Sequence, residues 1–265
     1  MSVSHDRLSA IINNFRVYAE VKNSPVEGGV MAGANFFVIE EERRDLDAIP
    51  QQWMMFYVGG VKVSDLDQCL RQSNAKIILQ AFIDLGGGDN PIAAALPKEI
   101  RVPVDGISPV ADVASLLIEE ALKPRCGGQA VINRLCEVVM IRLFRHVIES
   151  SEAGVGVMAG LSHIGISKAL VKIHEKPEMD LSLEYLASLS AMSRTHFANS
   201  FREIVGITPG QYVTNWRLGL ARVKLLEGRN LKQIAPEIGF GSVAALTRAF
   251  RRHFGYSPKE AKNMV

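Results

Sequence analysis

The clearest pattern along this chain is a helical arrangement of apolar positions written twice near its end. Ser193, Phe197, Phe201, Val205, Gly206 and Pro209 recur as Ser242, Leu246, Phe250, Phe254, Gly255 and Pro258, each pair 49 positions apart. In each copy the large apolar residues stand at i, i+4 and i+8, a stripe along one helix face that has to be buried. Glycine then ends the helix, and proline follows three residues later. A shorter amphipathic stretch precedes each copy, Leu183 to Leu189 and Leu231 to Ile238. The spacing predicts a short helix, a tight turn and a longer helix, which is the helix-turn-helix plan. Between the copies, Tyr212, Trp216, Leu220, Val223 and Leu226 lie at helical spacing and predict one long helix that holds the two units apart.

The rest of the chain has a different texture. Leu8, Ile11, Ile12 and Phe15 predict a short opening helix. From about residue 27 to 105 come short apolar segments beginning at Val30, Trp53, Ala75 and Glu99, bounded by Gly28-Gly29, Pro50, Gly59-Gly60, Gly86 to Gly88 and Pro97. Such segments predict strands with turns between them. Pro109 to Leu122 and Gln129 to Ile148 return to helical spacing, broken at Arg125 to Gly128, and predict a helical hairpin. Ser150 to Gly160 is small and glycine-rich, the best linker in the chain, and a helix over Ser162 to His174 ends before Pro177. Asp180 or Ser182 is then the cap of the next helix.

The expected architecture is therefore α+β. A β-rich domain spans residues 1–107, a helical hairpin 108–150, a linker 151–162, and an all-α domain with two helix-turn-helix units 163–265. The apolar residues of the hairpin, among them Val131, Leu135, Val138, Val139, Leu143 and Val147, exceed what one small sheet needs to cover. A homodimer formed through this hairpin is expected beside simple core packing.

Charge separates the two halves. Residues 1–150 hold 15 Lys+Arg against 19 Asp+Glu, whereas residues 176–265 hold 13 against 7. A basic C-terminal third suits a polyanionic partner and an acidic remainder does not. Cys69, Cys126 and Cys136 fit no paired spacing, so neither a zinc site nor a disulfide framework is suggested. The first residues lack the apolar run of a signal peptide, and no apolar run approaches the ~20 residues that span a bilayer. A cytoplasmic protein without membrane contact is expected.

On a helical wheel Phe197, Phe201, Ile204 and Val205 cluster, which turns Thr195, Asn199, Arg202 and Glu203 outward. The equivalent outward set in the second copy is Ala244, Arg248, Arg251 and Arg252. Helices with such faces can enter the major groove of double-stranded DNA, where Asn pairs with adenine and Arg with guanine or phosphate. Two of them about 34 Å apart would reach successive groove segments on one face of the duplex. The candidate DNA-contacting set is Ser193, Arg194, Thr195, His196, Asn199, Arg202 and Arg217, with Ser242, Val243, Ala245, Arg248, Arg251 and Arg252.

These residues carry a resemblance. The stretch from Leu183 to Ala261 resembles the C-terminal domain of AraC/XylS-type transcriptional regulators. The resemblance rests on Ala187 with Met192-Ser193, Arg217 and Ala221 to Leu226, Ile234-Ala235 with Gly239-Phe240, and Phe250 with Gly255 and Pro258. Residues 80–175 also resemble the subgroup with a cupin-like sensor domain, through Leu96-Pro97, Cys126 to Gln129 and Asn133 to Glu137. The resemblance implies a transcriptional activator or repressor that responds to an unknown small-molecule effector, with RNA polymerase as a further candidate partner. Two departures stand out. Pro236 falls inside the short helix of the second unit, where proline costs about 3 kcal/mol or distorts the helix. Val243, Ala244 and Ala245 give the second reading helix an apolar tip, which can touch thymine methyls and offers no hydrogen-bond code.

Other chemistries find less support. Metal-binding cupins use a histidine cluster, and there is no histidine between His5 and His146, so no metal, no cofactor and no enzymatic activity are expected. His146, His163 and His174 have no nucleophile context and read as structural. Gly86 to Asp89 reads as a tight turn and Glu40 to Asp45 as a solvated loop. Trp53, Met55 and Tyr57 are candidates for lining an effector pocket, although such side chains more often fill cores. The rival classes are a cupin enzyme with an accessory DNA-binding domain and a ligand-independent architectural DNA binder.

Overall fold

The computed structural model describes residues 6–14, 18–21, 30–41, 50–58, 60–85, 96–104, 110–123, 125–150 and 154–262. They belong to two compact units. One holds the described residues from 18 to 85 and from 96 to 150, and the other holds residues 6–14 and 154–262.

The first unit is built on five antiparallel strands, β1 (Tyr18–Val21), β2 (Phe36–Glu41), β3 (Gln51–Tyr57), β4 (Ala75–Asp84) and β5 (Glu99–Pro103), in the order β1-β4-β2-β3-β5. Among the described residues the sheet is open, with β1 and β5 as its edges. Successive side chains alternate between its faces, and both faces are buried, so the strands read as nearly continuous apolar runs. Phe37, Ile39 and Met55 pack under helix α2 (Val63–Gln72) through Leu66 and Leu70. Phe36, Val38, Met54, Phe56 and Leu79 are buried on the opposite side. There α3 (Ala111–Leu122) packs on β4 and α4 (Gly128–Glu149) on β1. Asn35 fastens β2 to β4, its side chain donating to the Ile83 carbonyl at 2.9 Å and accepting from the Ile83 amide at 2.7 Å.

α3 and α4 form the expected hairpin, closed by Gly127 at φ 79° and by the close approach of Gly128 to Glu120. The face of α4 turned inward is Ile132, Cys136, Val139, Met140, Leu143 and Val147, whereas Val131 and Val138 are exposed. Val131 and Val138 therefore lie on a second, outward stripe of α4.

The second unit is helical: α1 (Ser9–Asn14), α5 (Val157–Ser162), α6 (Ile164–Glu175), α7 (Leu183–Leu189), α8 (Arg194–Val205), α9 (Pro209–Leu226), α10 (Leu231–Glu237), α11 (Val243–Phe254) and α12 (Pro258–Lys262). Two boundaries differ from the sequence expectation. Residues 157–162 are a buried helix and not part of a linker, with Val157, Met158 and Leu161 in the core. The glycine there serves contact: a Cβ on Gly160 would lie 2.5 Å from Leu170 Cδ1 and 3.0 Å from Val205 Cγ2. The second difference concerns α1, which joins the helical unit and not the β-rich one. It packs against α6, and Arg7 Nη1 donates to the Leu161 carbonyl at 2.8 Å.

Pro236 does not break α10. It is exposed and falls near the end of a seven-residue helix, and the chain beyond it is held by Ile238 N to Ile234 O (3.2 Å) and Phe240 N to Ala235 O (2.8 Å). At the sixth of seven positions the proline removes the single bond its amide would have made to the Lys232 carbonyl, and the backbone pairing beyond it is kept. Among the described residues no helix is long and apolar enough to cross a membrane.

Candidate nucleic-acid interface

Both reading helices are set by the same local chemistry. Ser193 Oγ accepts from His196 N at 3.3 Å, and Ser242 Oγ accepts from Ala245 N at 3.1 Å. Ser182 caps α7, Asn230 caps α10, and Thr208 caps α9. Each cap satisfies an otherwise orphan amide and contributes about 1 kcal/mol. At the other end Gly206 and Gly255 adopt left-handed conformations at φ 89° and 81°, each donating to the carbonyl four residues back at 2.9 Å. Pro209 and Pro258 then open the following helices.

The turns match as well, but at a different offset. Ala191 (φ 54°) and Gly239 (φ 79°) are their left-handed residues, followed by Met192 N to Ala187 O (3.0 Å) and Phe240 N to Ala235 O (2.8 Å). These pairs stand 48 apart, as do the caps Ser182 and Asn230, whereas the caps Ser193 and Ser242 stand 49 apart. One residue, Gly241, is therefore extra in the second turn.

The apolar stripes are buried as their spacing requires: Phe197, Phe201 and Val205 in α8, Leu246 and Phe250 in α11. Phe254 is half-buried, 4.5 Å from the Phe250 ring, with the Arg222 guanidinium over it at 5.8 Å. Opposite them, Ser193, Arg194, Thr195, His196, Asn199 and Arg202 are exposed, as are Ser242, Ala244, Arg248, Arg251 and Arg252, whereas Val243 and Ala245 are half-buried. Arg202, Arg248, Arg251 and Arg252 make no ion pair among the described residues. Arg194 pairs with Glu184 at 2.7 Å, an exposed bridge between α7 and α8.

Arg217 departs from the DNA-contacting set. It is half-buried on α9 and spends its donors on the fold, Nε to the Pro177 carbonyl and Nη2 to the Met179 carbonyl, each at 2.8 Å. Burial works against its charge, while Asp180 and Glu178 nearby work for it. Two of the histidines are structural. His163 Nδ1 caps α6 by accepting from Gly165 N and Ile166 N at 3.2 Å. His174 lies in the core, and burial pushes its pKa down to about 3.

In the β unit Trp53, Met55 and Tyr57 share the face under α2. Met55 is buried there, Trp53 Nε1 donates to Glu41 at 2.9 Å beneath the Arg101 guanidinium, and Tyr57 meets Phe37 edge-on at 6.1 Å. They build the core layer. A cleft of about 230 Å³ lies elsewhere, between Met31–Ala34 and Gln80–Phe82, and nothing in the sequence pattern marks it. Among the described residues no group of three or more His, Cys, Asp or Glu could hold a metal ion.

Residues 186–264 match the family described as helix-turn-helix domain, and residues 47–149 match the cupin family. The chain carries an AraC-type helix-turn-helix domain and a cupin domain. The AraC-type domain takes in the end of α7 and every element from α8 to α12, and the cupin match takes in β3 to α4. A putative AraC-like transcription regulator of Streptomyces lividans is 33% identical over 169 residues, 62% of this chain and 55% of that protein. The HTH-type transcriptional regulator AlkR of Acinetobacter baylyi is 36% identical over 135 residues, 50% of this chain and 44% of its own. An uncharacterized HTH-type transcriptional regulator of Haemophilus influenzae is 28% identical over 178 residues, 67% of this chain and 59% of its own. The chain spans about half the length of the curated relatives it matches.

Proposed function

We propose that this chain is a cytoplasmic, sequence-specific DNA-binding transcriptional regulator. In this reading α8 and α11 enter successive major-groove segments of one duplex, about 34 Å apart. The observation that carries it is the matched pair itself: two helices, identically capped and terminated on one linking helix, turn exposed polar and basic residues outward. α8 offers Thr195, Asn199 and Arg202, side chains that can read base edges. α11 offers an apolar tip at Val243 to Ala245, suited to thymine methyls, and Arg248, Arg251 and Arg252 for the backbone. One head chooses and the other mainly holds.

The β unit acts as the sensor, with a small-molecule effector biasing the reading heads. A physical route for that bias begins where the chain enters the helical unit. Gly156 N donates to the Ile204 carbonyl at 2.9 Å, and Gly160 lies against Val205, so the incoming chain is fastened to the end of α8. The exposed Leu116, Val131 and Val138 of the hairpin supply the contact of a homodimer. RNA polymerase is the partner through which the bound protein acts on transcription.

Selection of bound duplexes from a random pool, with and without cell extract, tests this reading. Two unlike half-sites about ten base pairs apart, with extract shifting the affinity, are the expected result. A single short symmetric half-site per chain, or no enrichment, overturns it.

A further inference from the structure

We infer that Arg217 sets the separation between the two reading helices, and with it the half-site spacing that the chain accepts. The inference rests on the two-headed reading above. Arg217 stands at the middle of α9, whose two ends carry the two units. Its guanidinium donates through Nε and Nη2 to the carbonyls of Pro177 and Met179, which belong to the segment leading into the first unit. Against it lies Gly239, the left-handed turn residue of the second unit. A Cβ on Gly239 would sit 2.6 Å from Arg217 Nη2 and 2.7 Å from the Pro177 carbonyl oxygen. One planar group thus touches the approach to one head and the turn of the other.

The two turns show that this contact is specific. Left-handed backbone alone does not require glycine here, because the matching residue of the first turn is Ala191 at φ 54°, exposed and carrying its Cβ. At Gly239 the same Cβ would occupy the place of the guanidinium. Glycine is required in the second turn because Arg217 lies against it. The choice of arginine follows from the same geometry. Two carbonyls approached through Nε and Nη2 need a rigid fork with separate donors, and an ammonium on a flexible stem does not reproduce that arrangement.

Spacing is where such a clamp acts. Once one head is bound, the second binds at an effective concentration set by how firmly it is held at the right place. A loosened clamp lowers affinity at the preferred spacing and relaxes the penalty at neighbouring ones, while each head keeps its own contacts.

The test uses the full chain, wild type and with Arg217→Ala, Arg217→Lys or Gly239→Ala. The probes are duplexes carrying the selected half-sites at the native separation, at one or two base pairs more or less, and with either half scrambled. Expected are a sharp spacing optimum for wild type and a loss on the order of 10-fold at that optimum for all three variants. The profile flattens, and affinity for single-half duplexes changes by less than about 2-fold. The single-half duplexes also report folding, and a variant that loses them is set aside in favour of those that keep them. An unchanged spacing profile in Arg217→Ala or Gly239→Ala overturns the inference. So does a uniform loss on every duplex with a salt slope lower by about one, the signature of a phosphate contact. A wild type without any spacing optimum overturns instead the two-headed reading on which the inference stands.

Discussion

His174 places Nε2 2.7 Å from the Tyr212 hydroxyl in the core of the helical unit, with its ring 4.1 Å from that of Trp216. Full burial holds its folded pKa down at about 3, against 6.5 for the exposed side chain. As pH falls below 6.5 the unfolded chain takes up the proton first, so stability is lost between pH 6.5 and 3 and is unaffected above that window. The slope approaches 1.4 kcal/mol per pH unit, on the order of 1 kcal/mol by pH 5.5. Denaturant titrations at pH 7.5 and 5.5 should show this loss in the wild type and not in His174→Phe. Equal pH dependence in both would mean that His174 is not held neutral.

The unequal faces of α8 and α11 predict unequal consequences of substitution. Asn199→Ala should relax base preference at one position, by about 1–3 kcal/mol of discrimination, and leave the salt dependence intact. Arg251→Ala should weaken binding alike on all sequences and lower the salt slope by about one. Binding titrations on matched and mismatched duplexes at two salt concentrations separate the outcomes, and the reverse assignment would show that α11 is the chooser.

Gly160→Val should destabilise the helical unit by about 1–3 kcal/mol or more, because its side chain must displace Leu170 and Val205 from a close-packed contact. Since Val205 lies in the last turn of α8, affinity for the first half-site should fall more than affinity for the second. Thermal melting and single-half binding measure both. A neutral substitution would return this stretch to the role of linker.

Val138→Glu should leave the fold intact and abolish dimers, since Val138 is 42% exposed on α4. Light scattering at tens of micromolar should give a dimer for wild type and a monomer for the variant. A wild-type monomer would remove the hairpin from the interface.

The reading helices were legible because burial, capping and termination all agree along them. Phe197, Phe201 and Val205 at one spacing, Ser193 before them and Gly206 after leave little freedom. Helix α2 was missed since its apolar side, mainly Val63, Leu66 and Leu70, is too sparse to stand out without the sheet beneath it. Gly160 misled for a different reason. Glycine suits a linker and a tight contact equally, and only the neighbours decide which. Arg217 shows the same limit for charge: its carbonyl partners lie about 40 residues away and carry no signature of their own. Trp53 and Tyr57 have the composition of a pocket lining and the positions of a core, and the placement of α2 settled between them.

Helix α1 has a consequence for anyone who cuts or grafts this protein. Residues 6–14 precede the β unit in the chain yet fold with residues 154–262, so the β unit is inserted within the sequence of the helical unit and not merely attached to its front. A fragment starting at residue 154 leaves the Leu161 carbonyl without Arg7 and part of α6 without its cover. The complete helical unit needs both pieces, and a β unit exchanged for another has to be sewn in at two seams.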